Sequence, residues 1–148
     1  MTKGEAPHAW FNSALKKVEL IPQKDEFGDW KLIPTEADTF IPFYPSASVP
    51  DDVIFPWGTY ELTTAAWGAE EVGITVNIWF YTDSEFLPND AAERLSALIG
   101  LGGVSIPCDG GFIWLKRGSP WCQNIADDQH NGVKRRYIDV SAEYMTLN

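Results

Sequence analysis

The segment Glu71–Thr82, EVGITVNIWFYT, decides the fold of this chain because its side chains alternate strictly between two classes. Every second position holds a branched aliphatic or aromatic residue, namely Val72, Ile74, Val76, Ile78 and Phe80. Period-two alternation over this length predicts a β-strand with one face buried in a core. The other face carries Trp79 and Tyr81, so we expect that face to meet a partner as well.

Two further strands are predicted on either side of this segment. Residues 53–62 enter the sheet with alternating faces, one formed by Gly58, Tyr60 and Leu62, the other by Trp57, Thr59 and Glu61. Residues 65–70 are expected to form the turn of an antiparallel hairpin, since consecutive strands with a short connection normally pair in this way. The last strand, Arg135–Met145, is predicted to turn four residues toward the core: Ile138, Val140, Ala142 and Tyr144.

A helix is predicted over residues 90–99. Asp90 and Glu93 match a capping box, in which each side chain satisfies a backbone amide of the first turn. The apolar stripe of this helix consists of Ala91, Leu95, Leu98 and Ile99. Gly100 is a typical residue for the helix C-terminus.

A hairpin follows the helix. The apolar runs 104–106 and 112–117 flank Pro107–Gly111, and an Asp-Gly pair between two such runs is a strong hairpin signal. The polar composition of 119–133 predicts a loop before the last strand.

The first third of the chain gives a weaker pattern. Apolar spacings of three and four predict a short amphipathic helix over His8–Val18, and Trp30–Ile33 is a candidate short strand. The proline-rich stretch 41–50 is expected to be an edge strand or loop, because proline cannot donate to a strand ladder.

These elements predict one α+β domain spanning residues 1–148. We expect an antiparallel sheet of four to five strands, a helix packed on one face and a short N-terminal helix. Residues 1–52 would form the helix and a proline-rich extended arm, and residues 53–148 the core.

Composition restricts the classes of function. The 148 residues carry 21 acidic against 11 basic side chains, a formal net charge of −10, which disfavours general nucleic-acid binding. No signal-peptide pattern and no membrane-length apolar stretch is present, so we expect a protein made in the cytoplasm with Cys108 and Cys122 reduced. Membrane partners are not expected.

Catalytic and metal-binding patterns are weak. Cys122 and His130 are the nearest approach to a nucleophile and its base, yet neither cysteine follows a nucleophile elbow or opens a helix. Two cysteines and two scattered histidines do not match a zinc site, and the Asp51-Asp52 and Asp127-Asp128 pairs lack a calcium-loop pattern. We therefore expect no enzyme, no metal and no cofactor.

Two clusters suggest an interaction surface. The basic run Lys134–Arg136, with Tyr137 after it, is either a solvated strand start or a stripe that meets an acidic patch of an identical neighbour. Trp57, Trp79 and Tyr81 suit a sugar-binding platform, a sheet packed on both faces, or subunit packing. Reversing the charges of Arg135 and Arg136 together is expected to block assembly while leaving the subunit folded.

The order of elements from Asp52 onward resembles the tail terminator proteins of long-tailed bacteriophages. The resemblance rests on DVIFP at 52–56, VNIWFYT at 76–82 followed by the NDAAE helix at 89–93, and KRRYIDVSAEY at 134–144. Residues 108–136 also resemble small structural proteins encoded in phage tail regions.

The resemblance implies a virion structural protein whose subunits form a ring, expected to be a hexamer, that caps the tail tube. The partners would be further copies of the chain, the tail tube protein and the head–tail connector or a head completion protein. DNA would pass through the acidic ring without sequence-specific binding. The predicted subunit interface comprises Trp57, Trp79, Tyr81, Lys134, Arg135, Arg136 and Tyr137. Alternatives are another phage neck or minor tail protein, a soluble carbohydrate- or ligand-binding module, and a small Cys/His hydrolase.

Overall fold

The computed structural model describes residues 5–64, 71–82, 84–126 and 132–146. Within these ranges the chain forms two helices and eight strands. In chain order they are α1 Glu5–Asn12, β1 Lys16–Lys24, β2 Trp30–Phe40, β3 Phe43–Pro45, β4 Trp57–Thr64, β5 Glu71–Tyr81, α2 Phe86–Ile99, β6 Val104–Cys108, β7 Gly111–Ala126 and β8 Val133–Thr146. The mixed α+β class is confirmed, with strands as the larger part.

The described strands form two sheets. Six strands make the main sheet in the order β3-β4-β5-β8-β7-β6, and β1 and β2 make a separate two-stranded ribbon. The predicted four to five antiparallel strands are therefore too few, and one pair, β3 with β4, is parallel. The additional strand is β3, which the sequence does not reveal because its three residues end at Pro45 and are too short to alternate. Its place at the sheet edge agrees with the expectation for this proline-rich stretch.

The alternation in β5 sets the core as predicted. Its five apolar residues at even positions are all buried, whereas Trp79 on the other face is half-buried and Tyr81 is exposed. The predicted hairpin with β4 is confirmed by the pairing of Gly58 with Ile78. On its other side β5 pairs antiparallel with β8, where Ile138 and Val140 continue the buried face.

Both helices pack on this same face, called the inner face below. Phe11 of α1 is fully buried and stacks on Tyr60 at 5.6 Å, and its ring centroid lies 5.7 Å from that of Phe43. Gly58 allows this arrangement because a Cβ there would collide with the Phe43 ring. Helix α2 contributes Ala91, Leu95 and Ile99 to the same core. No helix among the described residues covers the opposite, outer face.

Helix α1 ends earlier than predicted, at Asn12 instead of Val18. The Asn12 side chain explains the stop. Its Nδ2 donates to the Phe43 carbonyl at 2.9 Å, and its Oδ1 accepts the Phe43 amide at 2.9 Å. This pair of bonds fixes the end of α1 to β3, and β1 begins at Lys16. Leu15 is fully buried all the same, so part of the predicted apolar stripe contributes to the core.

Helix α2 begins earlier than predicted, and the capping-box assignment is wrong. Asp90 lies within the helix and pairs with Arg94 four residues later, at 2.9 Å. The helix starts at Phe86, whose amide donates to Ser84 Oγ at 3.0 Å. Leu98, assigned to the buried stripe, is exposed. Gly100 does end the helix, with a positive φ of 75° and its amide donating to the Ser96 carbonyl at 2.9 Å.

The β6–β7 hairpin is confirmed, with Cys108 opposite Gly111 across the two-residue Asp109-Gly110 loop. The predicted polar loop 119–133 is wrong for its first part. Strand β7 continues to Ala126 because, after an irregularity between Arg117 and Cys122, it resumes pairing with β8. Residues 127–131, and the turn predicted at 65–70, lie outside the described residues.

The N-terminal arm takes the form of the β1–β2 ribbon, residues 16–40. The short strand expected at Trp30–Ile33 is the first part of β2, which pairs antiparallel with β1. The predicted boundary between the arm and the core lies between residues 52 and 53. In the structure Phe11, Ile41 and Phe43, all before that boundary, belong to the main core. Two prolines, Pro22 and Pro34, lie in the ribbon, where each strand has a free edge to accommodate them.

Candidate assembly surfaces

Strand parity divides the seven predicted interface residues between two faces of the sheet. Trp57 pairs with Trp79, and Trp79 pairs with Arg135, so these three share the outer face. Tyr81 and Tyr137 lie on that face as well, at odd positions of β5 and β8. The remaining two, Lys134 and Arg136, turn inward toward α2.

The inner pair binds within the subunit. Arg136 is only 2% exposed, and its guanidinium donates to Asn89 Oδ1 through Nε at 3.1 Å and Nη2 at 2.9 Å. Nη2 also donates to the Glu85 carboxylate, and Lys134 Nζ lies 3.3 Å from the same group. Hydrogen bonds from Arg136, then from Lys134, hold the pKa of Glu85 below its ordinary value. These two cations therefore join β8 to the start of α2, and Arg136 is not available to a neighbouring subunit.

Two basic residues of β7, Lys116 and Arg117, do not extend the basic run Lys134–Arg136. Arg117 lies opposite Val140 in the β7–β8 ladder and donates to Ser96 Oγ at 2.8 Å. Lys116 lies opposite Ser141 and pairs with Glu143 on the outer face. The continuous basic stripe considered from the sequence is thus not formed.

The outer face carries a row of aromatic rings. Trp57 and Trp79 stack with centroids 4.4 Å apart and planes 16° from parallel. Tyr44 flanks Trp57 at 6.5 Å, and the Arg135 guanidinium lies 5.9 Å from the centre of the Trp79 ring. The row is therefore Tyr44, Trp57, Trp79 and Arg135, and we call it the aromatic row. Sequence reasoning missed Tyr44, because its place next to β4 depends on the unrecognised strand β3.

Two polar atoms beside the row have no partner among the described residues. Trp57 Nε1 and Asn77 Oδ1 are buried without a hydrogen bond. Both belong to the outer face, since Asn77 pairs with Thr59, two residues along β4 from Trp57. An unsatisfied buried donor or acceptor costs about 1–3 kcal/mol, so the isolated subunit is not optimised at this point.

Of the three basic residues in the predicted interface, Arg135 is the one whose side chain lies on the outer face. It has its ring contact with Trp79, but no carboxylate of the described residues lies within ion-pair distance. Arginine and aromatic residues are among the types enriched in protein–protein contacts.

The β1–β2 ribbon presents a second uncovered apolar surface. Residues paired across the ribbon share a face, and one face collects Val18, Leu20, Pro22, Trp30, Leu32 and Pro34, with the charged residues Glu36 and Lys24 at its two ends. Trp30 is 68% exposed and Leu32 is 62% exposed. No extensive packing joins the ribbon to any other described element. Two-stranded sheets are at best marginally stable in water, so an exposed ribbon with one apolar face is typical of a segment that packs on something else.

The tip of the ribbon, residues 25–29, has a defined conformation. Asp25 Oδ1 accepts the backbone amides of Phe27 and Asp29, both at 2.9 Å. The Gly28 amide donates to the Asp25 carbonyl at 3.1 Å, with φ of 82° at Gly28. The Phe27 side chain is 81% exposed. The carboxylates of Glu26 and Asp29 are exposed and form no ion pair with any described residue.

Evidence for chemistry is sparse. Burial raises the pKa of the Cys122 thiol, an effect that nearby Arg136 opposes, so the uncharged thiol is favoured. Its proposed base, His130, lies outside the described residues. Cys108 and Cys122 are both free, and ten residues of β7 separate Cys122 from Gly111, the pairing partner of Cys108.

Over the described part of the chain, no three residues among His, Cys, Asp and Glu are grouped to hold a metal ion. In the same ranges, neither helix has the length and apolar character needed to cross a bilayer.

Comparison of the chain with protein-family models, with curated proteins and with solved structures found no match.

Proposed function

We propose that the protein is a self-assembling virion structural subunit, a tail terminator that forms a ring on the end of the tail tube and docks it to the head connector. The observation that carries the proposal is the β1–β2 ribbon, whose apolar face lies uncovered in the single subunit. An exposed apolar surface of this kind, continuous over two strands, is typical of a protein–protein contact.

The outer face of the main sheet supports the same conclusion. It carries the aromatic row and an unpaired Arg135, and aromatic residues and arginine are the types enriched in subunit contacts. The acidic composition is consistent with a ring through which DNA passes without binding. The pattern-level resemblance to tail terminators supplies the identity of the assembly. Another neck or minor tail protein would share the same self-association.

The geometry of the aromatic row favours a protein contact over a sugar-binding platform. A sugar platform needs a flat aromatic face open to the ligand. Trp57 and Trp79 cover one face of each other, and Arg135 lies over Trp79. The row therefore offers mainly ring edges, which suits packing against another protein.

Light scattering of the full chain over a wide concentration range, with negative-stain imaging of the large species, tests the proposal. We expect closed rings with a central hole. A chain that stays monomeric up to its solubility limit would overturn self-assembly as its function.

Neighbouring residues of β2 give a matched pair of variants for this test. Leu32→Asp places a charge on the apolar ribbon face and should abolish the rings, because a buried unpaired carboxylate strongly disfavours a contact. Ile33→Asp places the same charge on the opposite ribbon face, next to Ile21, and should retain them. Equal loss in both variants would argue that the ribbon contributes only to folding.

A further inference from the structure

The ribbon tip and the aromatic row carry opposite unpaired charges in the same chain. Glu26 and Asp29 form no ion pair with described residues, and neither does Arg135. Each charge lies beside exposed or half-buried aromatic side chains, Phe27 and Trp30 on the tip and Trp79 on the row. Complementary charge set among aromatic contacts determines register and partner choice in protein interfaces.

The position of the ribbon base excludes the chain's own row as the partner. Arg94 of α2 donates from Nη1 to the Lys16 carbonyl at 3.1 Å, so the ribbon starts on the side of the sheet that the helices cover. The aromatic row lies on the opposite side. Strand β1 has nine residues, which gives the ribbon a length of about 30 Å. No other described element packs extensively on the ribbon, so a tip at this distance from the base is open to another copy.

The tip is also organised before binding. Three backbone amides, those of Phe27, Gly28 and Asp29, donate to Asp25 and fix the loop. Asp25 is itself within 3.6 Å of Lys31 Nζ. A loop that is already ordered loses little conformational entropy on docking, which favours its use as a recognition element.

We propose that the ribbon tip, residues 25–29, of one copy docks together with the adjoining Trp30 on the aromatic row of the next copy. Glu26 and Asp29 pair with Arg135, and the Phe27 ring packs on the edges of Trp57 and Trp79. The contact uses two different surfaces of identical chains, so it is head-to-tail and generates a ring when the rotation closes. This inference rests on the proposed self-assembly and specifies which surfaces carry it.

Charge reversal on each side tests the contact. The tip variant is Glu26→Arg with Asp29→Arg, and the face variant is Arg135→Glu. In each variant alone the tip and the row of identical chains carry like charges, so we expect at least about tenfold weaker association by light scattering. Carrying all three substitutions in one chain restores opposite charges and should restore the rings.

Mixing the two variants gives a sharper readout. The tip variant keeps a native row and the face variant keeps a native tip, so each docks only on the other. The mixture should form rings that contain both chains in equal amounts, whereas neither chain forms rings alone. Native mass spectrometry of the mixture measures this ratio.

Control variants distinguish the loss of the docking contact from general effects of net charge and from loss of folding. Glu19→Arg with Asp38→Arg makes the same charge change on two exposed ribbon acids away from the tip, and should leave the rings intact. Circular dichroism and urea unfolding of each single variant should match those of the wild type. Wild-type rings that survive both reversals, or that the triple variant and the mixture fail to restore, would overturn the docking mode. A wild-type chain that never assembles would instead overturn the proposed function.

Discussion

The inner face of the main sheet is covered by two helices, whereas no helix in the described ranges packs on its outer face. The adjacent residues Arg135 and Arg136 show the consequence. Arg136 points inward, is almost fully buried and binds Glu85 and Asn89. Arg135 points outward, and its guanidinium lies 5.9 Å from the centre of the Trp79 ring.

This difference teaches that adjacent residues of one basic run have different surroundings. The inward cation binds groups of its own subunit, and the outward cation is the one that the proposed assembly would use. A contrast between the two faces therefore predicts that inner-face substitutions reduce the free energy of unfolding, while outer-face substitutions reduce association and leave folding unchanged.

The largest expected effect is on the inner face. Phe11→Ala should lower the free energy of unfolding by about 3–5 kcal/mol, because it removes a fully buried ring that stacks on Tyr60. Urea unfolding followed by circular dichroism measures the loss. Trp30→Ala on the exposed ribbon is the matched aromatic control and should change stability by less than about 0.5 kcal/mol. Equal losses would mean that the ribbon is as well packed as the core.

The two arginines give the next contrast. Arg136→Glu should cost on the order of 3 kcal/mol, since it buries a carboxylate beside Glu85 in place of a paired guanidinium. Arg135→Glu should cost less than about 0.5 kcal/mol, as expected for a surface position. The earlier expectation that both could be reversed without affecting folding is corrected for Arg136. A comparable stability loss in both variants would show that the two faces do not differ as described.

The start of α2 allows a smaller test of how the inner face is built. Ser84→Ala should lower the free energy of unfolding by about 0.5–1 kcal/mol, because Ser84 Oγ accepts the Phe86 amide just before the helix, where the N-cap residue Glu85 makes no side-chain bond of its own. Asp90→Ala should cost less than about 0.5 kcal/mol, since it removes only an i,i+4 pair with Arg94. If Asp90→Ala lowered the free energy of unfolding more than Ser84→Ala, the capping box at Asp90 would mark the start of the helix instead.

Alternation was the most informative sequence signal. It located β5 and the buried residues of β8, because a period of two fixes which side chains share a face. The same parity, counted back from Ile138, places Arg136 inward and Arg135 outward. The burial of Arg136 follows from this parity, although the adjacency of three basic residues by itself suggests a single surface cluster.

Other features depended on contacts distant in the chain. Asn12 ends α1 by binding Phe43, thirty-one residues away, and no local pattern indicates that partner. The ribbon pairs Leu20 with Pro34 and Pro22 with Leu32. Because proline is normally excluded from strand interiors, these two prolines obscure the alternation that indicates a strand. The aromatic row was named in part from sequence, yet Tyr44 and the stacking geometry required the sheet order.

The weakest expected effect is a pH dependence that arises on the inner face. The pKa of Glu85 is lowered from 4.5, first by the hydrogen bond from Arg136 and then by that from Lys134. A carboxyl whose folded-state pKa is depressed contributes stability that is fully present above its unfolded pKa and is lost as the pH falls through its folded value. The difference in unfolding free energy between the wild type and Glu85→Gln should therefore be constant near neutral pH and shrink below about pH 4.5. If the Glu85 difference persisted unchanged in acid, its charge would not be what binds Arg136, and Asn89 with the Arg135 carbonyl would hold the buried guanidinium in place.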